Sequence, residues 1–108
     1  MKTSGFFKVK LSGKRKFKRL LGDHSKVKGL RAGLVRLKPA QAIGEHNTDR
    51  KEEALIIIKG KAVIHYGKRG KATVRQGMFV FIPPGTSHNV LNAGKAPLQY
   101  IYITACSV

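Results

Sequence analysis

Glycine and proline cut this chain into pieces too short for helices. Ser12-Gly13, Pro39, Gly60, Gly67 to Gly70, Pro83-Pro84-Gly85 and Asn92-Ala93-Gly94 interrupt it, and no stretch keeps a 3.6-residue apolar repeat for three turns. The pieces between the breaks read as strands. Phe7-Lys8-Val9-Lys10-Leu11 alternates apolar and basic residues, and residues 30–38, 54–59, 61–66, 71–76, 78–82, 89–91 and 98–104 are rich in β-branched or aromatic side chains. About eight short strands joined by tight turns specify an all-β sandwich or barrel. The apolar runs 54–58 and 78–82 are expected to be buried on both faces, and the basic run 14–21 could at most make a short helix, a reading that is not favoured.

Size allows one domain. A chain of 108 residues buries roughly two-thirds of its unfolded surface, enough for one core without staples. We read residues 1–108 as a single domain, with a basic N-terminal segment 1–29 and a barrel-like part 30–108. The only cysteine, Cys106, excludes an internal disulfide. No apolar run nears the roughly 18 residues that span a bilayer, and Met1 to Leu11 lacks a continuous apolar core. The expectation is a cytoplasmic protein with no membrane partner.

Charge is extreme: 22 Lys and Arg against 5 Asp and Glu, a formal +17. Such a field draws anions of every size. Nucleic acid is a possible partner through KRKFKR, residues 14–19, but it is not the favoured one, because Phe17 alone interleaves the cations and base stacking has little support. The few acids are concentrated. Glu45, Asp49, Glu52 and Glu53 share nine residues with His46, which suggests a cation site in an otherwise basic chain. Of the other histidines, His24 sits in a polar turn and His65 in a predicted strand, while His88 follows the Pro-Pro-Gly break. No Ser-His-Asp set and no phosphate-cradling glycine loop is present.

The segment around His88, GMFVFIPPGTSHNVLN, places Gly77, Pro83, Gly85, His88 and Asn92 at the spacing of the second cupin motif. His46, Glu53 and Gly60 fit the first cupin motif in register. The chain therefore resembles the cupin superfamily, also called RmlC-like, over at least residues 30–104. The resemblance implies a double-stranded β-helix, the jelly-roll barrel. It also implies one divalent metal ion, Zn, Fe, Mn or Ni, held by His46, Glu53 and His88. Two positions depart from the pattern. Ala40 replaces a turn glycine, and Thr48 replaces a second metal histidine; its hydroxyl is assigned a supporting role through a metal-bound water. Glu52 competes with Glu53 as ligand, but the six residues before Gly60 favour Glu53, and neighbouring strand residues face opposite ways.

Leu55, Ile57, Phe79, Phe81 and Tyr100 are the expected lining of a small interior pocket. The function implied is a metal-binding cupin that acts on or binds a small, anionic molecule, with metal-dependent isomerases and dioxygenases as the enzyme types. A non-catalytic ligand- or metal-binding module and a basic nucleic-acid-binding protein are the alternatives. The resemblance further implies a homodimer, formed through N-terminal strands such as residues 7–11.

Overall fold

A computed structural model describes residues 6–21 and 27–106. Among them are nine strands: β1 (Phe17–Arg19), β2 (Leu30–Leu37), β3 (His46–Asn47), β4 (Lys51–Lys59), β5 (Lys61–Tyr66), β6 (Gly70–Arg75), β7 (Phe79–Ile82), β8 (Ser87–Asn92) and β9 (Leu98–Cys106). They form two antiparallel sheets, a five-stranded one in the order β1-β2-β9-β4-β7 and a four-stranded one in the order β3-β8-β5-β6. Among the described residues no helix is long and apolar enough to cross a membrane.

The core lies between the sheets. Val35, Leu37, Leu55, Ile57, Ile82, Leu98 and Tyr100 enter it from the larger sheet, and Ala62, Ile64, Val74 and Val90 from the smaller. Each large apolar side chain buried this way contributes roughly 1.5–3 kcal/mol. The turn glycine between β4 and β5 is required twice over. Gly60 has φ 92°, and a Cβ there would sit 2.7 Å from the Pro97 carbonyl oxygen. Asn92 closes the other end of the core. Its buried amide donates to Leu37 O and Ala96 O, both at 2.9 Å, and accepts from Gly94 N at 2.9 Å, so every hydrogen bond it makes is to backbone.

Three sequence expectations need correction here. Residues 54–58 and 78–82 are not buried on both faces. Alternation along β4 and β7 sends Leu55, Ile57 and Ile82 inward, while Ile56, Phe79 and Phe81 face out at 37%, 66% and 56% exposure. Nothing among the described residues covers that outer face near β7.

Residues 7–11 are not a strand, so the edge through which a dimer was expected does not exist in that form. They belong to an extended strap held by its carbonyls. The Arg36 guanidinium donates to Leu11 O (2.8 Å) and Arg15 O (3.1 Å), and the Lys18 ammonium donates to Lys10 O (2.8 Å) and Ser12 O (3.3 Å). The alternating pattern was real, but residues 7–11 pair with no strand among the described residues. Finally, the basic run 14–21 contains the short strand β1, which pairs with β2 through Phe17 opposite Val35 and Arg19 opposite Gly33. Asp23 and His24 lie outside the described residues.

Candidate metal centre

Both sheets contribute to one cluster. In the smaller sheet β3 lies beside β8 with His46 directly opposite His88, and their rings meet edge to face at 4.1 Å. In the larger sheet Glu53 sits on β4 opposite Thr104 and Ile82, and strand alternation turns it inward at 7% exposure while Glu52 is exposed. His46, Glu53 and His88 each offer a ligand atom, all within 4.8 Å of one another. That spread is close to the roughly 4 Å across a single ion with bonds of about 2 Å.

The backbone sets the imidazoles in the ligating tautomer. Nδ1 of His46 lies 3.0 Å from Gly44 O, and Nδ1 of His88 lies 3.2 Å from Thr86 O. A carbonyl only accepts, so each Nδ1 carries the proton, and in the neutral ring each Nε2 presents a lone pair. The same outer partners orient histidines around bound metals.

His88 is the deepest member. Its Nε2 lies 3.2 Å from Glu53 Oε1, an ion pair when the ring is protonated; in the neutral tautomer set by Thr86 O this buried nitrogen carries a lone pair that faces the carboxylate and has no donor beside it. An unpaired buried polar atom costs about 1–3 kcal/mol. A cation between Nε2 and the carboxylate would satisfy both groups, so the donor set fits a divalent metal. Burial is the largest influence on the His88 pKa and lowers it, but the Glu53 carboxylate and the Thr86 carbonyl together outweigh it and hold the value above the ordinary 6.5.

His46 and Glu53 open into a cavity of about 470 Å³, lined among others by Arg19, Arg31, Lys51, Tyr100, Tyr102 and Thr104. One row across the larger sheet runs Arg31, Thr104, Glu53, and the next runs Arg19, Gly33, Tyr102, Leu55. Gly33 is needed because the ring of Tyr102 lies where a Cβ would be, and Phe17 stacks on that ring at 6.0 Å. Burial raises the Tyr102 hydroxyl pKa most; Arg19 opposes this and Glu53 adds to it. Burial raises Tyr100 further. Both phenols therefore stay protonated.

Of the expected pocket lining, Tyr100 faces the cavity, whereas Leu55 and Ile57 pack in the core. Phe79 and Phe81 are not lining residues at all: β7 pairs with β4 so that Val80 and Ile82 turn inward and the phenylalanines outward. His65 is exposed on β5.

Thr48 does line the cavity but has other work. Its hydroxyl donates to Pro83 O at 2.8 Å and accepts from Thr86 N at 2.9 Å, clamping the loop before β4 to the Pro-Pro-Gly turn. Its one proton and one of its two lone pairs are thus committed to the clamp, which leaves one lone pair to accept a hydrogen bond. The residues missed from sequence are Arg31, Tyr102, Thr104, Lys51 and Arg19. Tyr102 and Thr104 follow Tyr100 in the same strand phase, a signal available beforehand. Arg19 and Arg31 become neighbours of the site only through long-range pairing.

The comparisons agree with this architecture. The family model for a cupin domain matches residues 33–104, and the chain belongs to the cupin family. No curated protein matches it. Among solved structures, an RmlC-like cupin with a double-stranded β-helix fold from Methanocaldococcus jannaschii is similar at TM-score 0.78 and 18% identity, covering 94% of this chain and 89% of that one. A predicted oxalate decarboxylase from Thermotoga maritima gives TM-score 0.77 and 22% identity, covering 84% and 79%. The Cnp3 cupin domain of Schizosaccharomyces pombe gives TM-score 0.75 and 16% identity over 84% of this chain, which spans 64% of that one. At these identities the likeness is one of fold.

Proposed function

We propose that this cupin binds a divalent metal through His46, Glu53 and His88 and takes a small anionic molecule into the cavity beside it. The observation that carries the reading is the buried, unpartnered Nε2 of His88, set against the Glu53 carboxylate with both histidine tautomers fixed by carbonyls. When bound, the ion supplies Lewis-acid or redox chemistry. The chain's own residues do the rest. Arg19, Arg31 and Lys51 line the same cavity and favour a carboxylate or phosphate there. The protonated hydroxyls of Tyr100 and Tyr102 offer hydrogen-bond donors, and Glu53 lies largely buried on the cavity wall.

Isomerisation and dioxygenation are the reactions to assay first, with oxalate decarboxylation added because one fold neighbour carries that name. Titration calorimetry of metal-loaded and chelator-treated protein with oxalate and longer carboxylates tests the proposal. Binding that requires the metal and is lost in His88→Ala supports it, and turnover separates an enzyme from a binding module. Absence of any metal-dependent binding would overturn the small-anion reading.

A further inference from the structure

Of the strap, Phe17 and Arg19 line the cavity beside the metal centre, while the cations before them, where the charge is most concentrated, do not. Residues 6–21 hold Lys8, Lys10, Lys14, Arg15, Lys16, Lys18 and Arg19 and not one acid. Their backbone is fixed rather than trailing: Arg36 and Lys18 spend their donors on the carbonyls of Lys10, Leu11, Ser12 and Arg15, and Lys16 O accepts from Arg36 N at 2.7 Å. With the carbonyls drawn toward Arg36 and Lys18, Lys8, Lys10, Lys14, Arg15 and Lys16 remain exposed. Next to them is a concavity of about 440 Å³ lined, among the described residues, by Ser12, Gly13, Lys14, Arg15, Lys18 and Arg36. Four of these six are cations, which is chemistry for a phosphate group.

We propose that this strap is a contact surface for the phosphate backbone of nucleic acid, with Lys8, Lys10, Lys14, Arg15 and Lys16 as the contacting cations. Base readout is not part of it. Phe17, the aromatic within the basic run, is 41% exposed but already stacks against Tyr102, so the proposal rests on the cations alone. A lipid surface fits less well, because the strap is no amphipathic helix and its backbone is tied to the sheet. Neutralising about five phosphates gives a slope of about −4.5 in log affinity against log salt for duplex DNA, or about −3.5 for a single strand. Raising salt from about 50 to about 200 mM should then weaken duplex binding about 500-fold.

The test is fluorescence anisotropy of the full chain with two duplexes of unrelated sequence, each of about 20 base pairs, across that salt range. Equal affinity for both sequences and the steep slope are expected. Replacing Lys8, Lys10, Lys14, Arg15 and Lys16 by Gln should flatten the slope and cost at least about 100-fold at low salt. Replacing Lys61, Lys68, Arg69, Lys71 and Arg75 by Gln, the same charge loss on β5, β6 and their turn, should leave most of the binding. If the strap variant does not fold, Lys8→Gln with Lys10→Gln should still lower the slope by about two. Equal losses in strap and control variants, a slope shallower than about −2, or equal affinity for phosphatidylserine vesicles would each overturn the proposal.

Discussion

Ala40 stands where the cupin pattern has glycine, and the structure gives that exchange a cost. Ala40 has φ 68°, in the left-handed region, and it is exposed, so its methyl gains nothing by burial. An L-residue held there costs roughly 1–2 kcal/mol, which glycine escapes. Glycine in turn gives back about 0.4–1 kcal/mol because it frees the unfolded chain. Ala40→Gly is therefore expected to stabilise the protein by about 0.5–1 kcal/mol, since the 3.1 Å hydrogen bond from Ala40 N to Asn92 O is kept. At about 4–8 °C per kcal/mol for a domain near this size, the melting temperature should rise by about 2–8 °C. Circular dichroism melts of chelator-treated protein measure this. Ala42→Gly is the control: Ala42 bridges Leu91 without a positive φ, and the same exchange there should destabilise by about 0.5–1 kcal/mol. An Ala40→Gly melt that is unchanged or lower would refute the strain argument.

Thr48→Val removes the clamp at constant shape and leaves Thr86 N and Pro83 O short of a partner; it should cost about 1–3 kcal/mol in a urea titration, with metal content retained, and an unchanged midpoint would contradict the clamp. The raised pKa of His88 has a sign that can be read in the metal-free protein. Protonated His88 beside Glu53 stabilises the fold fully below 6.5, and that contribution is lost as pH rises through the raised folded value, so wild type should lose melting temperature over this window relative to His88→Gln. Parallel pH profiles of the two proteins would contradict it. In the opposite sense, metal binding must displace that proton, so affinity measured with a competing chelator should fall as pH drops through the same window, and pH-independent affinity would speak against His88 as a ligand.

The strand content was legible because glycine and proline punctuate alternating segments, and the cluster around His88 because Gly77, Pro83, Gly85 and Asn92 sit at fixed offsets that the backbone uses. Gly77 and Gly85 have positive φ, and Asn92 holds three backbone groups. Facing was harder. The run Phe79 to Ile82 is apolar throughout, so nothing in it says which residues turn inward; pairing Ala54 with Phe81 decides that, and the pairing is long-range. The strap shows the converse, a period-two pattern whose carbonyls accept from the side chains of Arg36 and Lys18 instead of from a neighbouring strand. Arg19 and Arg31 were invisible as cavity residues because each reads as one cation among 22 until β1, β2 and β9 lie side by side. Thr48 was legible as a lost imidazole but not as a clamp, since its partners lie 35 and 38 residues away.

The most direct test of the metal centre is elemental mass spectrometry on protein purified without a histidine tag, beside His46→Ala, Glu53→Ala and His88→Ala. The account predicts close to one divalent ion per chain in the wild type and its loss in each variant, with Glu52→Ala retaining it. Wild-type protein that takes up no metal even after reconstitution, or variants that hold it as well as wild type does, would contradict the account.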